Sequence, residues 1–472
     1  MSNRTKIVCT MGPSVSSLEQ IFHLIEAGMN VARLNFGHGT HDEHQKVVNL
    51  LKEARAIKQV PLAIMIDIKG PDIRVGSIKG GELFLKPKQL ITISKEWKEG
   101  CEHGISLRPA VVIDNLEVGQ TILFDDGSIM AKVVEKGEDS ALIEIQNEGF
   151  LKSSKSINIP GAVLSLPIIT DKDVEDIQFA VRNQLELMAC SFVCHKEHML
   201  AVRKLVTDLG HPGIRLIAKI ESSLGVQHID DIIEFSDGIM VARGDLGVEL
   251  PLKKVPILQK MIIAKCQNIG KPVIVATQML ESMIKSPRPT RAEVSDVANA
   301  IYDSAACVML SGETAVGKYP IETVDMMKSV IEETEKHFDY KRFLADVQKD
   351  SDNISSSVAI ASVETANHIK AKAIFVVTQS GLTAQLISRL RPNLPIFALT
   401  FDAQTYHQMS YLWGVFSLPP QGLSDLKEAF NFMSKFCLDN GFLKSGDAVV
   451  ITSGTPFGLS GATNMMLIDH IR

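Results

Sequence analysis

At 472 residues, 45% hydrophobic and 22% charged, the chain has the composition of a folded globular protein, which excludes disorder and collagen-like or low-complexity character as its main state. Lys and Arg number 49 against 55 Asp and Glu, a net charge of -6 with no basic block, so neither nucleic acid nor an anionic membrane is expected as a partner. The length suggests about two to four domains, or one large barrel with additions.

No run of about 18 apolar residues suggests a membrane span. The start, Met1 to Lys6, lacks the apolar stretch and small-residue cleavage site of a secretory signal. The seven cysteines (Cys9, Cys101, Cys190, Cys194, Cys266, Cys307 and Cys437) are scattered, with no Cys-x-x-Cys. That pattern fits reduced thiols in a cytoplasmic setting, without a disulfide frame or zinc site.

Along the chain, short apolar runs alternate with helical patterns. The first runs are Ile7–Met11, Val31–Leu34 and Leu62–Ile66, with a helical stripe of Val47, Leu50, Leu51, Ala54 and Ile57 between the last two. From about Gly81 to Pro160 the character changes to short alternating segments, with Asp126-Gly127 as a hairpin signal. This reads as a small β domain inserted after the third strand, at the mouth of a barrel, where it could serve as a lid. The strand-then-helix pattern resumes with Leu185–Phe192, Leu216–Ile220, Gly238–Ala242, Val273–Ala276 and Cys307–Leu310. One later stripe joins Leu258, Met261, Ile262, Cys266 and Ile269.

The runs are continuous rather than alternating, as in parallel strands buried on both faces. Eight such units predict a (β/α)8 TIM barrel; an open doubly wound sheet is the alternative. After about Asp350, strands at Ala373–Thr378, Pro395–Thr400, Ala448–Thr452 and Asn464–Ile471 and the helices between them predict a three-layer α/β domain. The expected divisions are 1–71 and 167–345 for the barrel, 72–166 for the inserted β-barrel lid and 346–472 for a C-terminal regulatory domain.

In such a barrel, chemistry sits at the C-terminal ends of strands. Those ends read Arg33-Leu34-Asn35, Asp67-Ile68-Lys69, Ser191-Phe192, Lys219-Ile220-Glu221, Arg243-Gly244-Asp245, Thr277-Gln278 and Ser311-Gly312-Glu313. Glu221 and Asp245, on consecutive strands, are candidates for a hard divalent cation such as Mg²⁺ or Mn²⁺. Lys219 and Arg33 are candidates for an anion, although an ion pair between Lys219 and Glu221 explains the residues equally well. Gly37-His38-Gly39 is either a plain turn or a close backbone approach to phosphate. Thr378-Gln379-Ser380-Gly381-Leu382-Thr383 is either a phosphate cradle or an ordinary helix cap. The Gly- and Ser-rich loop Ser453–Ala462 is expected to close over that cradle.

Several long segments are recognisable together: Lys6–Ser14 (KIVCTMGPS), Gly28–Gly39 (GMNVARLNFGHG), Asp67–Arg74 (DIKGPDIR), Ile217–Glu221 (IAKIE) and Asp237–Glu249 (DGIMVARGDLGVE). Ala276–Met283 (ATQMLESM), Pro287–Asp303 (PRPTRAEVSDVANAIYD) and Met309–Tyr319 (MLSGETAVGKY) follow in order. Through these the chain resembles the pyruvate kinase family over essentially its whole length. The resemblance implies phosphoryl transfer from phosphoenolpyruvate to ADP, a barrel with a lid and a C-terminal domain, and a homotetramer. It implies that Glu221 and Asp245 hold Mg²⁺, that Lys219 and Arg33 contact the phosphoryl group in flight, and that Gly244, Asp245 and Thr277 lie beside the substrate. Asn35, Asp67 and Ile68 would form a K⁺ site. Arg33, His38, Lys155 and Asn158 would face the nucleotide. Thr378, Ser380, Gly381 and Thr383 would hold the phosphate of an allosteric effector. Thr277, through water, is the expected route for protonating the enolate.

Three departures from the family pattern bear on these roles. Gly37 stands where the cation site usually has Ser, which removes an oxygen. Asp72 stands where potassium-dependent members carry Glu, and its acidity favours some potassium activation. Gln379 and Leu382 replace cations common in relatives activated by sugar bisphosphates, which argues against tight fructose 1,6-bisphosphate binding and leaves room for a sugar monophosphate. Glu186 and Cys194 are expected only to retune packing. The competing readings are a metal-dependent aldolase or lyase on a related barrel, and a catalytically dead sugar-phosphate sensor.

Overall fold

The computed structural model describes residues 3–95, 99–162, 166–346, 353–455 and 463–472. Strand alternation separates its cores. In β1 (Lys6–Thr10), Ile7 and Cys9 pack outward, whereas Val8 packs inward. The same division holds in β2 (Met29–Asn35) and β3 (Ala63–Ile68), where Val31, Ala63 and Met65 join the inner set. A parallel strand buried on both faces is the arrangement that continuous apolar runs predict.

Ten strands intervene before the barrel resumes. They are β4 (Ile73–Val75), β5 (Glu82–Leu85), β6 (Leu90–Ser94), β7 (Gly104–Ile105), β8 (Leu107–Arg108), β9 (Thr121–Phe124), β10 (Ile129–Lys136), β11 (Ser140–Ile145), β12 (Gly149–Lys152) and β13 (Ser156–Asn158). Eight of them pair in the order β7-β6-β11-β10-β9-β13-β4-β8, and β5 pairs with β12 as a separate ribbon. The edge strands β7 and β8 are consecutive in the chain with only Ser106 between them, so the sheet curls until its edges meet. The Ser106 carbonyl, at that seam, accepts from the Gly76 N–H at 2.8 Å, which continues the β4–β8 ladder. The unit has its own core, including Ile91, Ile122, Phe124, Ile143 and Leu151.

Five more strands close the barrel: β14 (Leu187–Cys190), β15 (Arg215–Ile220), β16 (Gly238–Ala242), β17 (Val273–Ala276) and β18 (Cys307–Leu310). The ring runs β1-β18-β17-β16-β15-β14-β3-β2, every pair parallel, so the open doubly wound alternative is excluded. β3 runs past its apolar stretch through Asp67 and Ile68, because Arg33 and Lys219 neutralise the Asp67 carboxylate inside the ring. The helix His41–Lys58 buries Val48, Leu51 and Ala54, whereas Ile57, placed on that stripe by spacing, is exposed near the helix end. Ile269 is exposed for the same reason at the end of Val255–Ile269. Glu186 is a core ion-pair partner, accepting from Arg55 Nη1 at 2.9 Å and from the Ile64 N–H at 2.8 Å.

The remaining strands are β19 (Ala373–Val377), β20 (Ile396–Leu399), β21 (Val415–Leu418), β22 (Ala448–Ser453) and β23 (Met465–His470), in the order β21-β20-β19-β22-β23. Ala373, Phe375 and Val377 pack to one side of this sheet and Ile374 and Val376 to the other. Both faces are covered, which makes three layers. The second side shares its core with the barrel's inner residues Val8, Val31 and Met240, so this sheet seats against the N-terminal end of the barrel, opposite the mouth. No helix among the described residues is long and apolar enough to cross a membrane.

Candidate active site

The barrel mouth holds a chain of alternating charges. Arg33, on β2, donates from Nε to Asp67 Oδ2 at 2.7 Å and from Nη1 to Thr10 Oγ1 at 3.0 Å. Asp67, near the end of β3, accepts through Oδ1 from Lys219 Nζ at 3.1 Å. Lys219, on β15, also donates to Ser191 Oγ at 2.6 Å and lies 2.9 Å from Glu221 Oε1. The other Glu221 oxygen accepts from the Phe192 N–H at 2.6 Å. Asp245 completes the chain against Glu221, from the first turn of the helix Arg243–Glu249.

Asp245 is half-buried, but the rest of the chain is almost wholly withdrawn from water: Asp67 and Glu221 are each 2% exposed and Lys219 9%. Burial works against the Lys219 ammonium, but Asp67 and Glu221 outweigh it and hold the group firmly protonated. Burial also disfavours the Asp67 carboxylate; Arg33 and Lys219 reverse that effect and leave its pKa below the ordinary value. Asp245 is the exception. Burial, followed by the charge of Glu221, pushes it up to about 7. Two carboxylates forced together in a poorly solvated place form a donor set that a hard divalent cation relieves. Among the described residues no group of three or more His, Cys, Asp or Glu side chains gathers as a metal site, so any such ion would need further oxygens from substrate or water.

Thr277 sits just past β17 with φ at +69°, followed by Gln278 at +54°. A β-branched residue is strained in that region. The turn is held by Arg243, whose Nη2 donates to the Thr277 carbonyl at 2.7 Å and whose Nη1 bonds Asp296 at 2.8 Å. The Thr277 hydroxyl accepts from the Gly244 N–H at 2.8 Å and donates to the Ala276 carbonyl at 2.6 Å.

Asn35 Oδ1 accepts from the Gly37 N–H at 3.0 Å, and Ile68 ends β3 beside Asp67. His38 is exposed at the rim, its carbonyl 2.8 Å from His44 Nε2. Lys155 and Asn158 come from the inserted unit. Lys155 pairs with Asp125 at 2.8 Å, and Asn158 Nδ2 donates to Glu249 Oε1 at 3.2 Å, across to the helix that carries Asp245. Between the insert and the mouth lies a cavity of about 410 Å³, lined by Ser156, Asn158, Phe192, Cys194, Asp245 and Glu249 among others.

The Thr378–Thr383 segment lies elsewhere, between β19 and the helix Leu382–Arg389. Thr378 Oγ1 accepts from the Gly381 N–H at 3.1 Å, as a cap would, and Thr383 Oγ1 lies 2.7 Å from Thr463 Oγ1. The Ser380 carbonyl accepts from Arg215 Nη2 at 2.6 Å. Most of the loop expected to close over this segment, residues 456–462, lies outside the described residues.

Sequence reasoning assigned no role to Ser191, Thr10 or the Phe192 N–H. Ser191 and Phe192 were visible as a strand end, but a single hydroxyl or a backbone donor carries no spacing signal. Arg243 was visible in the same way; its geometry makes it a brace for Thr277.

Two family models match the chain: "Pyruvate kinase, barrel domain" over residues 2–324 and "Pyruvate kinase, alpha/beta domain" over residues 356–468. A protein named pyruvate kinase from Geobacillus stearothermophilus is 42% identical over 474 aligned positions, covering 100% of this chain and 81% of that one. One from Chlamydia muridarum is 46% identical over 423 positions, covering 89% and 88%. The crystal structure of a pyruvate kinase from Cryptosporidium parvum superposes with a TM-score of 0.95 at 37% identity, covering 100% of this chain and 96% of that one. With both of its larger units matched and its full length aligned to such relatives, the chain belongs to the pyruvate kinase family.

Proposed function

We propose that the chain transfers the phosphoryl group of phosphoenolpyruvate to ADP, giving pyruvate and ATP, at the mouth of the barrel. The observation that carries this is the buried Lys219 ammonium, fixed 3.1 Å from Asp67 and 2.9 Å from Glu221. Phosphoryl transfer requires positioning and charge neutralisation more than covalent help. A cation already desolvated and oriented meets that need without reorganisation. Arg33, held by Asp67 and Thr10, supplies a second fixed positive charge. Thr277 and the neighbouring Gly244 face the substrate, and the Thr277 hydroxyl lies on the path by which water protonates the enolate.

Glu221 and Asp245 would hold Mg²⁺ or Mn²⁺, a fit supported by their forced contact and by the raised Asp245 pKa. Bound there, such an ion supplies Lewis-acid stabilisation of negative charge developing on the substrate oxygens. Asn35, Asp67 and the Ile68 carbonyl would take K⁺. That fit is less complete, since both Asp67 oxygens already accept from cations and Gly37 adds no oxygen. Arg33, His38, Lys155 and Asn158 face the nucleotide. Thr378, Ser380, Gly381 and Thr383 take the phosphate of an effector, through backbone N–H groups at a helix start because two of the hydroxyls are already engaged. Self-association as a homotetramer is supported by β23, an edge strand with Leu467 and Ile468 exposed, one on each face. The seven free cysteines, five of them buried, suit a cytoplasmic location.

The test is the initial rate of pyruvate formation from phosphoenolpyruvate and ADP with Mg²⁺, with and without K⁺. Fructose 1,6-bisphosphate, glucose 6-phosphate, ribose 5-phosphate and AMP are then added in turn. Turnover that falls at least about 10³-fold in Lys219→Met supports the assignment. A folded protein without turnover in any combination overturns it and favours the lyase or the sensor.

A further inference from the structure

Asp176 is fully buried, yet side chains from two helix starts reach it. In the helix Asp171–Arg182 it accepts through Oδ2 from Lys172 Nζ, one turn earlier, at 2.7 Å. Its other oxygen lies 2.6 Å from Nε2 of His41, the first residue of the helix His41–Lys58. Lys172 stands in the first turn of its helix, the end at which the helix dipole disfavours a cation. Its second bond gives a reason for a lysine there: Nζ also donates to the Phe36 carbonyl at 2.9 Å, just past the end of β2. The Lys172 side chain is 47% exposed, so water was open to it. Fixing it between two acceptors costs rotamer entropy, which the two charge-assisted bonds offset.

The turn that begins at Phe36 is held on its other sides as well. The Phe36 N–H donates to the Asp67 carbonyl at 3.0 Å, and the Phe36 ring stacks on His44 with centroids 4.0 Å apart. His44 Nε2 in turn lies 2.8 Å from the His38 carbonyl. The same helix start grips the neighbouring connection too, since Asp173 Oδ1 accepts from the Gly70 N–H at 3.0 Å, where β3 gives way to the inserted unit. One helix end therefore sets the positions of the segments that follow β2 and β3.

We propose that Lys172, anchored by Asp176, is a positioning residue for the phosphoryl transfer: it fixes the Phe36 carbonyl and with it the setting of residues 36–40, so that His38 is presented to the nucleotide. This rests on the reading that His38 and Arg33 face ADP. Because the peptide unit is planar, a shift of the Phe36 carbonyl is passed directly to Gly37 and on to His38.

The test compares full-length Lys172→Met, Lys172→Arg, Asp176→Asn and His38→Ala with the parent in steady-state rates against ADP and against phosphoenolpyruvate. Lys172→Met should raise KM for ADP about tenfold, with KM for phosphoenolpyruvate and kcat within about twofold of the parent. Lys172→Arg, which can still span the carboxylate and the carbonyl, should bring KM for ADP back to within about threefold. Asp176→Asn keeps the shape without leaving a buried unpaired charge, and should show the same split at about threefold if Lys172→Met does not fold. A pair with only a structural role would lower the thermal midpoint and leave KM for ADP at the parent value; that result in Lys172→Met and Asp176→Asn overturns the proposal. His38→Ala separates the two readings. A KM for ADP raised by His38→Ala alone removes the role of Lys172, whereas one unmoved by any of these substitutions removes the reading of the nucleotide site with it.

Discussion

Thr277 Oγ1 accepts the Gly244 N–H at 2.8 Å while its own backbone stands at φ +69°. The hydroxyl therefore ties the end of β17 to the residue that follows Arg243 after β16, and the chain tolerates a strained backbone to keep it there. Thr277→Ser keeps the hydroxyl and should retain most of the rate. Thr277→Ala should lower kcat by about 10²-fold with a much smaller change in KM for phosphoenolpyruvate. Steady-state kinetics of the two variants decide this: an Ala variant as fast as the Ser variant removes Thr277 from the chemistry.

Ser191 bonds Lys219 Nζ at 2.6 Å, the shortest of the ammonium's three contacts. Without it, Lys219 keeps both carboxylates but loses one of three fixed directions. Ser191→Ala should cost about tenfold in kcat, with the thermal midpoint within about 2 °C of the parent. A large drop in midpoint with kcat unchanged would make Ser191 a packing residue only.

Gly37 offers no side-chain oxygen beside Asn35, and a Cβ placed there would stand 3.1 Å from Asn35 Oδ1. That is close, but the neighbour is the end of a rotatable amide. Gly37→Ser should therefore be accommodated and add a ligand for K⁺. The potassium concentration giving half-maximal rate should fall by about fivefold. Rates across a potassium series balanced with tetramethylammonium measure this, and an unchanged half-point would place the cation elsewhere.

His407 accepts from the Leu62 N–H through Nδ1 at 3.3 Å, where the C-terminal unit meets the barrel. Burial, then the charge of Arg55, pushes its pKa down to about 3 from the ordinary 6.5. Between those values the unfolded chain holds the extra proton. Its contribution to stability is therefore complete above about pH 6.5 and declines as pH falls through the window. Relative to His407→Gln, the parent should lose roughly 1 kcal/mol per pH unit below 6.5. Urea unfolding of both proteins at pH 7.5 and 5.5 gives the comparison; parallel losses would show that His407 titrates freely in the fold.

The barrel was legible because its strands are buried on both sides and so appear as unbroken apolar runs. The charged residues that follow them, Arg33, Asp67, Lys219, Glu221 and Asp245, were legible for a related reason: a charge directly after such a run has few places to go but the mouth. The curl of the inserted sheet was less visible. It depends on β7 and β8 being two-residue strands either side of Ser106, too short to show a period. Ser191 and the Phe192 N–H escaped for the reason any backbone donor or lone hydroxyl does.

The bond from Asn158 Nδ2 to Glu249 Oε1 is a tether between two bodies, and its far end is the short helix that begins at Arg243 and carries Asp245 in its first turn. Seven residues are too few to absorb a pull at one end without passing it to the other. Were the inserted unit to swing when the proposed nucleotide binds, this bond would carry the displacement to the carboxylate pair, and the fit of that pair would in turn bias how far the unit stands open.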